Sequence, residues 1–390
     1  MSNKGLSYVR EKIRTPDLLV RSQTLYPAEL RAHIIFVCFS YLCTSATKLI
    51  IAQRFLSVNN FFKIFQIIFL SSGGLQVILF SGSFYLLFIV VLLLHIYNTL
   101  ENEDFFMTKK VAVINDLSGL GRCSLTAAIS VLSAMGIQAC PLPTAILSSQ
   151  TEYPSYYCYD FTDKMDYFRQ EWKKLGTSFS GIYTGYVSSV CQIEQIMHFL
   201  DTFQTADTFL LVDPVMGDDG VTYDMYTSGL LTAMKELAAR ADVITPNLTE
   251  FCLLTDIDYN SLQDSSLSIQ QLISRLKDAG QTLTKDHEKK VLITGIHFTA
   301  DDGVHKIGNL LLDGSSHFLS AYPCCNGSYS GTGDLFASCI TGGLARDISL
   351  TEMMQTAGSF LEKSLIDSVE EHVPVNEGVN FEKYLYLLHT

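Results

Sequence analysis

Six short apolar runs between residues 107 and 390 constrain the fold of this chain more than any other feature. Segments whose apolar residues recur with helical spacing separate most of them. Parallel strands need long crossover connections, which helices usually supply, so the alternation predicts an α/β fold with a mainly parallel sheet. Ligands bind such sheets beyond the carboxyl ends of the strands. The predicted strands are 110–114, 137–142, 181–184, 208–212, 242–245 and 290–294.

Residues 302–319 follow a shorter, alternating pattern, with Gly308-Asn309 and Asp313-Gly314 as turn signals. This pattern predicts a small antiparallel edge to the sheet. No repeat or low-complexity tract interrupts this part of the chain, which we interpret as one domain. The predicted closing helices are 333–345, 350–370 and 379–388.

The first 106 residues have a different composition. The segment from Leu75 to Tyr97 contains 23 residues without a charge, which is long enough to cross a bilayer, and a weaker span runs from Ile34 to Ala52. Six Lys and Arg residues precede the weaker span and favour a cytoplasmic N-terminus. Two spans would leave a membrane-anchored protein whose C-terminal domain faces the cytoplasm.

A second interpretation, which we favour, is that residues 1–106 are an extension or a mis-assigned start. Met107 opens the segment MTKKVAVIND, which is typical of the beginning of a soluble enzyme. Residues 107–390 are then the working domain, which we predict to be cytoplasmic. A membrane becomes a partner only if residues 1–106 are expressed.

Charge and cysteine usage argue against two kinds of function. Residues 107–390 carry 18 Lys and Arg against 34 Asp and Glu, a formal net charge of −16. This charge repels a phosphate backbone, so nucleic acid is not an expected partner. The ten cysteines show no C-x-x-C spacing, which argues against zinc and favours reduced thiols. An acidic protein that binds phosphates needs backbone N–H groups or metal ions to hold them.

A glycine turn at residues 330–337, SGTGDLFA, is the strongest local signal for chemistry. Gly331 and Gly333 would let the backbone approach a ligand, and the start of the following helix would favour an anion. Asp334 makes little sense as a phosphate ligand, but it suits the base for a hydroxyl that attacks phosphorus. Helix capping alone is the other interpretation of Asp334.

The glycine turn resembles the C-terminal signature of the ribokinase (PfkB) superfamily, and its wording is most similar to that of the pyridoxal kinases. Two further segments have the family's wording and order, VDPVMG at 212–217 and TPNLTE at 245–250. The resemblance extends over nearly all of residues 107–390. It implies a three-layer α/β/α fold with a small antiparallel edge, ATP as co-substrate, Mg²⁺ as cofactor and assembly as a homodimer. It leaves the use of K⁺ open.

The resemblance also implies roles for single residues at the nucleotide end. Asp213, Asn247 and Glu250 would organise Mg²⁺ and its waters against the phosphates, with Asp213 and Glu250 nearest the metal. Asn247 and Glu250 also have the spacing of a helix-capping pair, which is the alternative. Thr294 and Thr332 fall where relatives contact ATP, and both residues could equally be turn hydroxyls.

At the substrate end, the resemblance places Asp116 after the first strand and Thr151 and Glu152 in a segment that contacts the ring. Better-known relatives have Ser followed by His where this chain has Asp116 and Leu117. An Asp at this position could accept a hydrogen bond from a phenolic hydroxyl or a protonated ring nitrogen. A solvated turn Asp is the other interpretation.

Two further patterns are weaker. Gly119-Leu120-Gly121 suggests a dinucleotide site, but the third glycine is missing, and we reject a dehydrogenase. Cys324 and Cys325 precede the glycine turn, where a thiol could add to an aldehyde. Nothing in the sequence indicates a lowered thiol pKa at these two positions.

The combined prediction is ATP-dependent phosphorylation of the 5′-hydroxymethyl group of pyridoxal, pyridoxine or pyridoxamine, with Asp334 as base. A hydroxymethylpyrimidine kinase of the same superfamily is the nearest alternative, and a sugar kinase ranks third. A membrane-tethered, non-catalytic vitamin sensor is the alternative from another class. Its distinguishing feature is residues 1–106.

Overall fold

The computed structural model describes residues 108–263, 267–284, 289–300, 302–324 and 329–389. The predicted membrane spans and Cys325 lie outside these residues, so the proposed boundary near residue 106 stays a prediction. Within the described ranges, no helix is both long and apolar enough to span a membrane.

A mainly parallel sheet forms the centre of the described region. Its strand order is β11-β10-β9-β8-β5-β4-β1-β2-β3; the inner strands from β9 to β2 are parallel, and antiparallel strands flank them at both edges. A separate hairpin is formed by β6 and β7. The strands are β1 (Lys110–Ser118), β2 (Gln138–Leu147), β3 (Cys158–Asp160), β4 (Gly181–Thr184), β5 (Phe209–Val212), β6 (Gly217–Asp218), β7 (Val221–Thr222), β8 (Val243–Ile244), β9 (Lys290–Thr299), β10 (His305–Asp313) and β11 (Ser316–Pro323).

Helices cover both faces of this sheet. Each predicted parallel strand is present, and several extend further than the apolar runs indicated. The helices are α1 (Ser124–Ala134), α2 (Thr162–Lys174), α3 (Val190–Phe203), α4 (Ser228–Arg240), α5 (Leu248–Thr255), α6 (Ile269–Gly280), α7 (Thr332–Ala345) and α8 (Leu350–Glu370), with short 3-10 helices at Tyr259–Leu262, Val375–Glu377 and Glu382–Leu388.

The alternation of side chains along β1 shows why the fold has three layers. Val111 and Val113 pack into the core beneath α1, α7 and α8, whereas Ala112 and Ile114 pack into the core beneath the helices of the other face. All four side chains are fully buried. A strand covered on both faces has no polar side, which explains why it reads as a continuous apolar run. The predicted three-layer α/β/α fold is confirmed.

One detail of the predicted edge and one predicted helix were wrong. Gly308 and Asn309 are not a turn; they lie inside β10, where its pairing with β9 is irregular, and Asn309 Oδ1 accepts a hydrogen bond of 3.2 Å from the Gly295 N–H. The turn follows Asp313, where Gly314 has a φ of +56°. The helix predicted at 379–388 is only a 3-10 helix over Glu382–Leu388.

Candidate active site

The carboxyl ends of the parallel strands bring three sequence motifs to one edge of the sheet. Asp116 lies near the end of β1, and Asp213 comes directly after β5. Asn247 follows β8 and forms a parallel bridge with Thr294 of β9. Because β1, β4, β5, β8 and β9 are consecutive in the sheet, residues distant in sequence become neighbours here.

The glycine turn leads into α7 at this same edge, and its two glycines have different roles. Gly331 is the N-cap, with a φ of +82°, and a Cβ there would collide with the carbonyl oxygen of Arg122. Gly333 lies in the first turn of α7, and a Cβ there would meet no atom within 4 Å. Gly331 is therefore needed by the fold, while Gly333 leaves open space at the start of the helix, where anions are favoured.

Asp334 occupies the first turn of α7 and lies close to β1. Its Oδ1 accepts a hydrogen bond of 3.1 Å from Nδ2 of Asn115, and the N–H of Ser124 also stabilises its charged form. Ser124 opens α1 with a φ of +49°, which few residues other than glycine adopt. Two elements distant in sequence thus converge on this carboxylate, whereas a simple capping Asp needs only its own helix.

The pKa of Asp334 is raised to about 6 by burial and then by the negative charge of Asp116. The hydrogen bonds from Ser124 and Asn115 oppose this rise. The pKa of Asp213 is raised to about 7 by burial and by the charge of Asp334, against a hydrogen bond of 2.9 Å from the Thr245 hydroxyl. A carboxylate with a pKa near neutrality is suited to accept a proton during catalysis.

Asn247 and Glu250 form the reciprocal capping box of α5. Asn247 Oδ1 accepts from the Glu250 N–H at 2.9 Å, and Glu250 Oε2 accepts from the Asn247 N–H at 2.8 Å. Glu250 Oε1 accepts from the Met216 N–H at 3.0 Å, and Asn247 Nδ2 donates to the Gly217 carbonyl at 2.8 Å. The capping interpretation is confirmed as local structure, and the same bonds fasten the VDPVMG segment to α5.

The nucleotide-end carboxylates are compatible with a hydrated cation. Asp213 and Glu250 are both buried, and burial together with the charge of Asp213 raises the pKa of Glu250 well above its usual range. Within the described ranges, no three Asp, Glu, His or Cys side chains converge to hold a metal by themselves. Mg²⁺ usually binds one or two carboxylates and completes its shell with water and phosphate oxygens, which fits such a sparse set.

The two predicted nucleotide threonines differ in position. Thr294 lies beside Asn247, and its N–H donates to the Pro246 carbonyl at 2.9 Å. Its neighbour Gly295 has a φ of +69°, a left-handed conformation that suits glycine. The Thr332 hydroxyl donates to the Tyr329 carbonyl at 3.2 Å, which is the turn-hydroxyl arrangement. A role for either in nucleotide binding stays a prediction.

Asp116 is not a solvated turn residue, and that interpretation is wrong. Its side chain is 7% exposed, and Oδ2 accepts a hydrogen bond of 3.0 Å from the Ser118 hydroxyl. Burial raises the pKa of Asp116, while hydrogen bonds from Ser124 and Ser118 oppose the rise. A buried acceptor at the end of β1 can select a ligand that carries a hydrogen-bond donor.

The predicted ring-contact segment approaches the glycine turn. Thr151 and Glu152 are exposed, and Glu152 Oε2 accepts a hydrogen bond of 2.6 Å from the Ser330 hydroxyl. Gln150 anchors this segment, because its Oε1 accepts from the Glu152 N–H and its Nε2 donates to the Asn376 carbonyl. Glu152 is therefore placed next to the glycine turn, while Thr151 has no described contact that assigns it a role.

Sequence reasoning missed Asn115, which makes the hydrogen bond to Asp334. It also missed Thr245, the hydroxyl that binds Asp213. Asn115 is a buried polar residue within the second half of β1, and Thr245 is a buried polar residue directly beyond β8; a polar side chain next to an apolar run was the available signal. Of the two cysteines considered, Cys324 has its Sγ 3.8 Å from His297 Nδ1. The buried Cys123 thiol lies nearer the carboxylates, and burial raises its pKa to about 12, which disfavours a nucleophilic role.

Comparison with known proteins gives three informative relatives. A Bacteroides thetaiotaomicron protein, provisionally named a phosphomethylpyrimidine kinase and crystallised with pyridoxal, is 36% identical and covers 72% of this chain and 96% of its own, with a TM-score of 0.65. The pyridoxal kinase of Dictyostelium discoideum is 28% identical over 254 residues, 62% of this chain and 80% of the relative. The hydroxymethylpyrimidine/phosphomethylpyrimidine kinase of Bacillus subtilis is 27% identical over 199 residues, 50% of this chain and 68% of the relative.

A family model described as phosphomethylpyrimidine kinase matches residues 121–379. The match contains the glycine turn, Asp334 and both post-strand motifs, whereas Asn115 and Asp116 lie just before it. Relatives named for pyridoxal and relatives named for hydroxymethylpyrimidine both occur among its similar proteins. This chain belongs to the phosphomethylpyrimidine kinase family and is a kinase of the ribokinase-like fold.

Proposed function

We propose that the domain transfers the γ-phosphoryl group of ATP to the 5′-hydroxymethyl group of pyridoxal, pyridoxine or pyridoxamine. The observation that carries this proposal is the Asp334 carboxylate, which lies at the start of α7 beside an open glycine position and opposite the buried Asp116. The similar Bacteroides protein was crystallised with pyridoxal, which supports a B6 vitamer as acceptor. The cytoplasmic location, predicted from the sequence, and the homodimer, implied by the family resemblance, stay predictions.

In the proposed reaction, Asp334 takes the proton of the acceptor hydroxyl as its oxygen attacks the γ-phosphorus in line. Backbone N–H groups from Gly331 to Gly333, at the positive end of α7, stabilise charge on the transferred group. Asp116 accepts a hydrogen bond from the ring and orients it. The new bond joins the hydroxymethyl oxygen to phosphorus, ADP leaves, and the proton remains on Asp334 until it is released to solvent.

Asp213, Glu250 and Asn247 are the residues that we propose to hold Mg²⁺ through its waters. When bound, the ion would neutralise the β- and γ-phosphate oxygens. The capping bonds engage both Glu250 oxygens, so Glu250 would act mainly by orienting metal-bound water, and Asp213 is the more direct ligand. After burial, the charge of Asp213 is the main cause that raises the pKa of Glu250, and a cation between these two carboxylates would relieve their repulsion.

A hydroxymethylpyrimidine kinase is the second candidate function. It is favoured by the name of the matching family and by the Bacillus subtilis relative. Both acceptors present a hydroxymethyl group on a flat nitrogen ring, so the same base and the same glycine turn would serve either. Asp116 is the residue we expect to decide between them, because we propose that its buried carboxylate contacts the ring.

The acceptor is tested by measuring kcat/KM for pyridoxal, hydroxymethylpyrimidine and ribose with residues 107–390 and with the full chain. We expect pyridoxal to exceed ribose by at least about 10⁴, because a site that hydrogen-bonds a ring donor rejects acceptors without it. Preference for hydroxymethylpyrimidine would establish the second candidate. Ribose as the best acceptor would contradict both.

The pH dependence follows from the raised pKa of Asp334. The base must be deprotonated, so the active fraction grows as pH rises through about 6 and is complete above it. We therefore expect log(kcat/KM) for the acceptor to rise with a slope of about one below pH 6 and to level off by about pH 7. A profile that stays flat down to pH 4.5 would exclude a base with the pKa of this carboxyl.

A further inference from the structure

The side chain of Asn115 fills the point where β1 and β4 separate. Backbone pairing between the two strands ends at Ile114 and Thr184, and Asn115 is the next residue of β1. It is fully buried. A buried amide needs partners for its oxygen and its nitrogen, and the partners here belong to three different elements.

The hydrogen bonds fix which way the amide points. Asn115 Oδ1 accepts from the Tyr186 N–H at 2.8 Å and from the Asp116 N–H at 2.9 Å. Backbone N–H groups can only donate, so the oxygen must face them and the NH₂ group must face Asp334. The bond from Nδ2 to Asp334 Oδ1, 3.1 Å long, is therefore a donation to the carboxylate.

The end of β4 is shaped to hold this amide. Gly185 follows the last residue of β4, and a Cβ at that position would collide with the Asn115 side-chain amide. The Gly185 N–H donates to the Ile114 carbonyl at 2.9 Å, so β1 and the segment after β4 stay paired up to Asn115. A residue with a side chain at 185 would push the amide away from Asp334.

We infer that Asn115 is a positioning residue, which holds one oxygen of the Asp334 carboxylate so that the other is presented to the acceptor hydroxyl. This inference rests on the proposed function, in which Asp334 is the base. Asn115 touches neither acceptor nor nucleotide in this role. It acts by fixing the orientation and the charged state of Asp334.

The groups around Asp334 show why this one amide matters. Asp116 of β1 and Asp213 beyond β5 are negative neighbours, and the buried Tyr183 hydroxyl and Cys123 thiol have pKa values raised partly by the charge of Asp334. Of the groups that the structure describes around Asp334, only the Ser124 N–H and the Asn115 amide lower its pKa. Removing the amide donor would leave the carboxylate with one stabilising partner among like charges.

Asn115→Asp is the direct test, because it keeps an acceptor for the Asp116 and Tyr186 N–H groups and replaces the donor to Asp334 with a like charge. The acid limb is the part of the pH profile in which kcat/KM rises with pH. We expect the midpoint of this limb to move to higher pH by at least about one pH unit, and kcat at pH 7 to fall by about 10- to 100-fold. KM for ATP should change by less than about threefold, since Asn115 does not face the nucleotide.

Gln192→Glu is the matched control. Gln192 is also a fully buried amide, whose Oε1 accepts from the Ser188 N–H at 2.8 Å and whose Nε2 donates to the Thr144 carbonyl at 2.9 Å. It lies in α3 and makes no described bond to Asp334. This variant should lose thermal stability in the same way while its acid limb stays where the wild-type limb is.

If Asn115→Asp does not fold, Gly185→Ala is the second variant. Its methyl group should push the Asn115 amide away from Asp334 and should also raise the pH at which kcat/KM begins to fall. A folded variant of either kind whose limb and kcat match the wild type would overturn the inference, as would an equal shift in Gln192→Glu. The Asp334 carboxyl is also titrated without turnover, by ¹³C NMR of protein labelled at the aspartate carboxyls, with Asp334→Asn for assignment. An upward shift there with no kinase activity in the wild type would retain the positioning role and reject the proposed function.

Discussion

Replacing Asp334 with Asn is expected to lower kcat by about 10²- to 10⁴-fold, because a positioned general base contributes that much and an amide cannot take the acceptor proton. ATP binding should change little, since the N–H groups of the glycine turn remain. The measurement is steady-state phosphorylation of pyridoxal together with calorimetric titration of Mg-ATP. Asn at this position preserves shape, so a loss of rate with binding intact isolates the proton transfer.

The same variant should be more stable than the wild type at pH 8. The folded-state pKa of Asp334, about 6, lies above the value of about 4 for an unfolded chain, so the folded state binds more protons between these values. The free energy of unfolding therefore falls as pH rises from about 4 to 6, and this loss of stability is complete above pH 6. We expect Asp334→Asn to gain roughly 1 to 3 kcal/mol at pH 8 and nothing below pH 4, measured by urea unfolding.

An Asp334→Asn enzyme that retained more than about a tenth of wild-type kcat would contradict the assignment of the base. Equal stabilities at pH 8 would contradict the raised pKa and leave the base assignment standing. The two readouts thus test separate statements about one carboxyl.

Gly331→Ala and Gly333→Ala should both lower activity, but only Gly331→Ala should lower the free energy of unfolding. Gly331 has a left-handed φ of +82° and no room for a Cβ against the Arg122 carbonyl. We expect its replacement to lower the free energy of unfolding by about 2 to 4 kcal/mol, from backbone strain and overpacking together, and to reduce activity as the turn shifts.

Gly333→Ala should leave the free energy of unfolding within about 0.5 kcal/mol, because the position is helical and open and alanine favours a helix. Its kcat should still fall by about 10- to 100-fold, since the new methyl group enters the space proposed for the phosphoryl group. Urea unfolding and kcat for both variants provide the comparison. A stable, fully active Gly333→Ala would place the phosphates elsewhere.

Much of the fold could be predicted because its signals are local. The runs at 110–114 and 290–294 are apolar on both faces, which is enough to indicate buried parallel strands, and the helices at 333–345 and 350–370 follow from periodicity. The turn at Gly308-Asn309 was wrong because tertiary pairing overrode a local turn signal. Asn309 instead satisfies the Gly295 N–H across a strand irregularity.

The site was only partly predictable, for a physical reason. Asp334, Gly331 and Gly333 stand together in one turn, so the sequence displays them. Asn115 and Asp334 are 219 residues apart, and their hydrogen bond depends on the sheet order that places β1 beside α7. No pattern in the neighbouring sequence distinguishes an Asn that would support a catalytic carboxylate from any other buried Asn.

The Asn247 and Glu250 pair shows a different limit. The sequence spacing allowed both helix capping and a metal role, and the structure confirms the cap without excluding the other role. A residue can hold a helix terminus and present water to a cation, because a carboxylate oxygen has two lone pairs.

The central claim is tested most directly by mixing the domain, ATP, Mg²⁺ and pyridoxal labelled with ¹³C at its 5′-hydroxymethyl carbon, and recording ³¹P and ¹³C NMR spectra. We predict that the γ-phosphate signal of ATP is replaced by a phosphate monoester coupled to the labelled carbon, and that Asp334→Asn does not form it. Release of inorganic phosphate alone, or an ester formed equally well by Asp334→Asn, would contradict the claim.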